Sequence, residues 1–466
     1  MTNDIRTHYD KLAAKRDAYI KKNKYYYSLL YKEYRYFIPK GKRILEVGCS
    51  TGSLLNALGP SYGVGIDISE ESIKIARQKY PHLKFFVSDL LGFIGEDKFD
   101  YIILSGLLGE LDDIQYFFEA LKKFCAPHTR IIIEYYNYLW QYILKFAEKL
   151  KLKIPQKIQN WLTYQDINNF LSLSGYEPIS RQGSILAPKN IILFSLLINK
   201  FVAKLPIFNS FTVAHFIIAR PLFYEVNDYT VSIIIPCRNE KQNIEEAIKR
   251  IPIFGKGQEF IFIEGASCDG TFEEIQRLIQ AYPGKDIKLY KQAGSGKADA
   301  VRLGFSKAKN EIFMILDADL TTPPEELPRF YEALKKNKAE LANGCRLIYP
   351  MEKEAMRFLN LAANKIFSII FSWLLGQNIK DTLCGTKALF RRHYEEIARN
   401  RDWFGDFDPF GDFDLLFGAA KLNLKITDIP VRYRQRTYGR TQISRFRHGW
   451  QLLKMTSFGL LKIKFI

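Results

Sequence analysis

No apolar run in this chain reaches the roughly 18 residues that a membrane-crossing helix needs. The nearest, Ile191 to Phe208, is broken by Lys200, Lys204 and Pro206, so no spanning helix is expected. Cysteine is scarce. There are six in 466 residues, none in a CxxC pair or at zinc spacing. That argues against a disulfide framework or structural zinc, and for free thiols in a reducing compartment. Asn3, Asp4, Arg6 and His8 stand where the apolar core of a signal peptide belongs, so no leader is read. Carboxylates are missing from residue 429 onward, where nine Lys and Arg remain.

What is present is ordinary soluble composition, 47% hydrophobic and 25% charged. The chain is too long for one core, so two or three domains are expected. The net charge is +18. Residues 1–225 carry 30 basic and 21 acidic side chains, and residues 226–466 carry 38 and 29. Within the first half, residues 1–43 hold 12 basic against 4 acidic. Both ends therefore favour anionic partners: phosphates, an acidic membrane face or nucleic acid. A merely solvated basic surface is the plainer alternative.

A Tyr-rich helical stretch opens the chain. Strand-like runs then alternate with helical ones: RILEVG, GVGID, KFFVSD, YIILS and RIIIEY, with a helical stretch Tyr164 to Ser174 and a closing strand HFIIARP. The pattern restarts after a linker with VSIIIP, FIFIEG, IKLYKQ, IFMILDAD and ELANGCR. Two doubly wound α/β domains are expected, residues 1–221 and 231–466, joined by 222–230.

In the first, ILEVGCSTGSLL is a strand, a glycine turn and a helix start. Gly48 and Gly52 let backbone approach a ligand, and the helix N-terminus offers free N–H donors. Asp67 ends the next strand about 20 residues on, where an acidic group takes ribose hydroxyls. Asp89 ends the third. This segment, Glu46 to Gly52 with Asp67, Asp89 and FDYIILSGLLGELDD, resembles the class I S-adenosylmethionine-dependent methyltransferases. The resemblance implies a Rossmann-like fold in which Gly48 and Gly52 pass the cofactor's tail, Asp67 holds its ribose and Asp89 lies by its adenine. Glu46 suits a sulfonium and amino-acid cofactor better than NAD. Ser50 stands where the family commonly has Gly, and Glu110 where it often has His. Glu110 and Asp112 are the candidate bases. A cofactor domain that binds without turnover, regulating the other half, is the alternative. An RNA methyltransferase is a further one, but no RNA-binding motif accompanies the charge, so no nucleic-acid partner is expected.

In the second half, four strand-end loops stand in order: Cys237 to Glu240, Glu264 to Thr271, Gly294 to Lys297, and Asp317 with Asp319. Such loops converge on one crevice. Two carboxylates one residue apart suit Mg²⁺ or Mn²⁺ shared with a diphosphate. A helix cap is the plainer reading, but a cap needs only one. The set IPCRNE, EGASCDGT, GKADAVRLGF, DADLTTPPEELPRF, NGCR and DTLCGTK resembles the family 2 glycosyltransferases of GT-A fold, closest to the dolichyl- or polyprenyl-phosphate sugar synthases. The resemblance implies that Pro236, Glu240, Glu264 and Asp269 line the nucleoside, with Lys297 near it. Asp317 and Asp319 serve metal and diphosphate. Arg346, Arg436 and Arg440 bind phosphate, and Asp381 to Gly385 face the acceptor. The donor is a nucleotide-diphosphate sugar, a UDP-sugar favoured, and the acceptor a lipid phosphate. Thr321, Glu264 and Gln442 depart from the family pattern.

A lipid phosphate attacks without a base, whereas a hydroxyl acceptor needs one. Of the aspartates in DWFGDFDPFGDFD, Asp412 is the candidate base, and a solvated acidic turn or N-caps are the alternative. Residues 355–375 suit an interfacial helix, or nearly as well a buried one. With the basic tail, peripheral contact at the cytosolic face of a membrane is expected.

Overall fold

The computed structural model describes residues 2–157, 159–191, 194–223, 227–349, 358–401, 411–436, 438 and 445–465. The side chains of 2, 3, 358–362, 412, 445–449 and 451 are outside that description. Two compact units emerge, Met1–Phe223 and Tyr224–Lys464.

The first unit holds strands β1 (Arg43–Val47), β2 (Tyr62–Asp67), β3 (Lys84–Val87), β4 (Phe99–Ser105), β5 (Cys125–Tyr136), β6 (Tyr176–Gly183) and β7 (Ala214–Pro221). They form one sheet in the order β3-β2-β1-β4-β5-β7-β6. The first five are mutually parallel, and β7 runs antiparallel to both its neighbours. Strand residues divide alternately between two cores, as a doubly covered sheet demands. Ile44, Ile103, Ile132 and Ile218 join Leu30 and Tyr34 of the helix Lys24–Phe37 and Ile73 of Glu70–Lys79. Leu45, Ile102, Ile131 and Ile217 join Phe118 of Ile114–Leu121 and Ile167 of Tyr164–Leu173.

The second unit holds β8 (Thr230–Cys237), β9 (Gly257–Glu264), β10 (Asp286–Lys291), β11 (Ile312–Ile315), β12 (Leu341–Cys345), β13 (Lys387–Phe390) and β14 (Ile426–Pro430). Their order is β10-β9-β8-β11-β13-β12-β14. β11 is buried along its whole length, parallel to β8 and antiparallel to β13. Three strands were not read from sequence. β6 is polar and alternates poorly (YEPISRQG), β13 has four residues, and β14 contains Asp428 and ends in Pro430. Each borrows its extended form from a paired neighbour rather than from its own pattern.

In each sheet the chain winds outward in both directions from one strand, β1 in the first and β8 in the second. The crevices beside β1/β4 and β8/β11 are thus the switch points where open α/β sheets hold ligands. The helix Phe358–Leu375 is apolar, but among the described residues no helix is long and apolar enough to cross a membrane.

Candidate active sites

At the first switch point the chain turns sharply after β1. Gly48, Ser50 and Gly52 all have positive φ, at 75°, 47° and 74°. A Cβ on Gly52 would lie 2.6 Å from the Phe85 ring, so only glycine fits. Asp67, at the end of β2, closes the turn. It accepts from the Ser50 amide at 2.8 Å and the Ser69 amide at 2.9 Å. Burial holds its carboxyl above the usual range. Asp89 is exposed and accepts from the Gly92 amide at 2.7 Å.

The helix Thr2–Lys22 is tied to these loops. Asp10 accepts from Ser69 Oγ at 2.7 Å, Asp17 accepts from Thr51 Oγ1 at 3.0 Å, and the Tyr9 hydroxyl donates to Glu110. Glu110 also accepts from Gln156 at 2.7 Å, and burial raises its pKa. Asp112 makes no such link in the described set and stays at the surface edge.

Under the helix Lys24–Phe37 the chain encloses a polar interior. Glu46 is 3% exposed and burial pushes its pKa up to about 8. Glu134, on β5 in register with Ser105, is equally buried and is pushed by burial to about 7. Glu46 Oε2, Glu134 Oε1 and Arg16 Nε are buried with no protein hydrogen-bond partner. Buried polar atoms are rarely left so; Arg16 lies within electrostatic reach of both carboxylates, and the three fit an amino-acid-bearing cofactor. Arg16 and Glu134 escaped the sequence reading. For Glu134 a signal existed: RIIIEY, like RILEVG, puts one carboxylate inside an apolar strand. For Arg16, one of many cations at the N-terminus, there was none.

At the second switch point the four loops meet through charge. Arg436 donates to Glu240 at 3.0 Å and to Asp319 at 2.5 Å. Lys297 pairs with Asp317 at 2.5 Å. Asp269 takes the Thr271 hydroxyl at 2.5 Å, the Lys241 amide at 3.1 Å and the Tyr438 hydroxyl at 3.2 Å. Glu264 accepts from the Ser267 amide at 2.5 Å, and Asn239, with φ of 57°, locks that loop through the Cys268 amide. Burial lifts Glu240 to about 7 despite Arg436. Burial also pushes Asp317 upward, but Lys297, Lys387 and Arg346 outweigh it and leave its pKa lowered. Gly385 explains itself here: a Cβ would lie 2.3 Å from Asp317 Oδ2 and against the Lys297 amine.

Pro236 is half-buried beside this cluster, in register with Ile263 of β9. Arg346, near enough to help lower the Asp317 pKa, is itself held by a carboxylate. It gives Asp381 two bonds, of 2.7 and 2.8 Å, and stacks on Tyr433. Asp381 also accepts the Leu383 amide at 3.0 Å. These two therefore brace the loop leading to Gly385. Arg440, Gln442, Asp402, Asp406 and Asp408 lie outside the described residues, as does the side chain of Asp412, whose backbone starts the helix Asp412–Lys421. Asp414 is buried and bound to Arg401 at 3.0 Å.

The metal reading passes a test of fit. Asp317 and Asp319 converge with two cations, and Thr321, in the place of a third ligand, instead donates its hydroxyl to Asp319 at 2.9 Å. Two carboxylates suffice for Mg²⁺ or Mn²⁺ that completes its shell with phosphate and water. Among the described residues no cluster of three or more His, Cys, Asp or Glu could hold a metal without such help.

Two open α/β sheets with charged loops at their switch points define a two-domain α/β protein with a candidate ligand crevice in each unit. Residues 19–181 match the family model of a methyltransferase domain, and residues 232–398 match that of glycosyl transferase family 2. The chain thus joins a segment that matches a methyltransferase domain to one that matches glycosyl transferase family 2. The dolichol-phosphate mannosyltransferase of Pyrococcus furiosus is 31% identical over 235 residues, 48% of this chain and 64% of that protein. The undecaprenyl-phosphate 4-deoxy-4-formamido-L-arabinose transferase of Salmonella paratyphi B is 26% identical over 219 residues, 46% of this chain and 62% of that protein. The chain thus spans under two thirds of the length of these relatives. Among solved structures, an S-adenosylmethionine-dependent methyltransferase of Thermotoga maritima is similar at 13% identity and a TM-score of 0.37, covering 46% of this chain and 99% of that one. The glucosyl-3-phosphoglycerate synthase of Mycobacterium tuberculosis is similar at 17% and 0.38, covering 50% and 80%.

Proposed function

We propose that this chain is a bifunctional enzyme. Its second domain transfers a sugar from a nucleotide-diphosphate sugar, a UDP-sugar in the first instance, to a polyprenyl-phosphate acceptor. Its first domain transfers a methyl group from S-adenosylmethionine to an acceptor of the same pathway. The observation that carries the sugar reading is the bridge Glu240–Arg436–Asp319 with Lys297 on Asp317 beside it. Glu240, Asp317 and Asp319 each face a cation here. A diphosphate exchanges into that set: Lys297 and Arg436 turn to phosphate oxygens. Asp317 and Asp319 would hold Mg²⁺ or Mn²⁺, which when bound neutralises the departing diphosphate. The relatives' acceptors, dolichol phosphate and undecaprenyl phosphate by name, support a lipid phosphate here. That group is anionic already and needs no base. The apolar helix Phe358–Leu375 and the basic segment 432–464 support peripheral contact with the cytosolic face of a membrane.

The test incubates the protein with Mg²⁺ or Mn²⁺ and a panel of UDP- and GDP-sugars, with and without polyprenyl phosphate. Nucleoside-diphosphate release that depends on the lipid, for one donor, is the expected result. No binding of any nucleotide-sugar rejects the reading.

Glu46 makes methyl-donor binding pH-dependent. Its folded pKa, about 8, is above the ordinary 4.5. The neutral form is therefore favoured by folding. The associated stability is present below the lower value and is lost as pH rises through the upper. The cofactor's ammonium and sulfonium charges favour the ionised form, so binding near pH 7 expels a proton. Calorimetry in buffers of different ionisation enthalpy should show proton release on binding, reduced in Glu46→Gln and reduced further when Glu134→Gln is added, and affinity should rise from pH 6 to 8. Methyl turnover distinguishes catalysis from a purely regulatory cofactor domain.

A further inference from the structure

The reading above puts membrane contact on the glycosyltransferase unit. The methyltransferase unit carries a separate face with the same chemistry. The helix Gln141–Lys149 buries none of its residues. Leu139, Tyr142, Ile143, Phe146 and Leu150, spaced along one stripe, are 47 to 82% exposed. An amphipathic helix on a soluble domain normally turns such a stripe inward. A second stretch, from Ile191 to Phe211, does the same: Phe194, Leu197, Ile207 and Phe211 are all more than half exposed. This is the stretch whose lysines and proline rule out a spanning helix.

The two stretches are one surface. The Trp140 ring nitrogen donates to the Phe211 carbonyl at 2.8 Å, and Asn137 donates to the Ser210 carbonyl at 2.8 Å. Between them sits the basic end of the helix Thr2–Lys22. Lys22 donates to the Lys151 carbonyl at 3.0 Å, Asn23 to the Leu152 carbonyl at 2.9 Å, and Lys189 to Asn23 at 2.8 Å. Lys21, Lys22, Lys24, Lys151 and Lys189 are all exposed there. Negative charge is nearly absent. No carboxylate occurs between Glu177 and Glu225, Glu148 is paired with Lys153, and Glu33, which reaches this stretch from the helix Lys24–Phe37, is paired with Lys204.

Exposed aromatic and aliphatic side chains set among unpaired-sign lysines complement one kind of surface best, a leaflet of anionic lipid. The aromatic and aliphatic groups enter the acyl boundary while the lysines meet headgroup phosphates. A globular acidic protein would satisfy the lysines but not so broad an apolar area. We propose that the face formed by residues 139–150, 21–24, 189–191 and 194–211 seats the methyltransferase domain on an anionic membrane surface.

The test uses the full chain. An environment-sensitive dye is placed at Ile207→Cys in a Cys268→Ser background, since Cys268 is the exposed free cysteine. Vesicles are phosphatidylcholine alone or with phosphatidylglycerol. The dye should shift to the blue only when anionic vesicles are added. The triple change Lys21→Glu, Lys22→Glu and Lys24→Glu should weaken vesicle binding by about tenfold or more at low salt. Tyr142→Ser with Phe146→Ser, at positions that bury nothing, should reduce the dye shift with the thermal transition unchanged. A dye already shifted without vesicles overturns the proposal. If that shift is independent of concentration, the rest of the chain covers the face. If it grows with concentration, a second copy does. No shift under any condition overturns it equally.

Discussion

Asp317→Asn is expected to cut sugar transfer by at least about a hundredfold, the scale of losing a charged group aimed at charge developing in a transition state. The asparagine keeps the shape of the side chain but removes the charge that faces Lys297 at 2.5 Å. Two effects then act together. The site loses half of its carboxylate pair for a divalent cation, and Lys297 is left without its partner. Folding should survive, because the Asp317 side chain is 30% exposed and its strand is held by β8 and β13. Binding of S-adenosylmethionine should be unchanged, since every group that forms the first switch point belongs to the other unit. The measurement pairs nucleoside-diphosphate release with calorimetric cofactor binding on the same preparation. Sugar transfer within tenfold of the unmodified protein would remove Asp317 from the proposed machinery.

Gly52→Ala should do the converse. The position has φ of 74°, and a Cβ there meets the Phe85 ring at 2.6 Å. A left-handed non-glycine residue costs roughly 1–2 kcal/mol, and overpacking a ring typically adds about 1–3 kcal/mol. The aromatic ring cannot fold away as the end of a lysine would. The turn must open, and with it goes the spacing between the Ser50 amide and Asp67. Cofactor affinity should fall by about thirtyfold or more, the low end of those summed costs, and the thermal transition of the first unit should drop. Sugar transfer by the second unit should persist. Retained cofactor affinity would show that the ligand does not lie along this turn.

Much of this was legible from sequence because strand-end loops carry their own signals. RILEVG followed by CSTG needs no tertiary context to read as a turn that admits a ligand. Asp317 and Asp319 end an apolar run that proved buried on all sides. Arg436 was read as a phosphate ligand, but the partners it meets across long separations were not legible. Arg436 meets Asp319 from 117 residues away and Glu240 from 196, and only the fold brings them together. Arg346 resembled a phosphate ligand by type and place, yet its guanidinium is engaged by Asp381. A cation's residue type says nothing about which carboxylate reaches it first. Likewise the strands β6, β13 and β14 are extended because their neighbours are.

The position of β13 has a consequence for how the second domain comes into being. It lies between β11 and β12 in the sheet but follows both in the chain. Until residues 387–390 leave the ribosome, β11 and β12 each present an unsatisfied edge with no partner to close it. The same segment delivers Gly385 to the Lys297–Asp317 pair. Closure of the sheet between β11 and β12 and seating of Gly385 beside Lys297 and Asp317 are therefore one event in biosynthesis, with β14 and Arg436 joining afterwards. A chain cut short before that point has neither, and its two waiting edges make it prone to pair with other copies rather than to persist as a partly working enzyme.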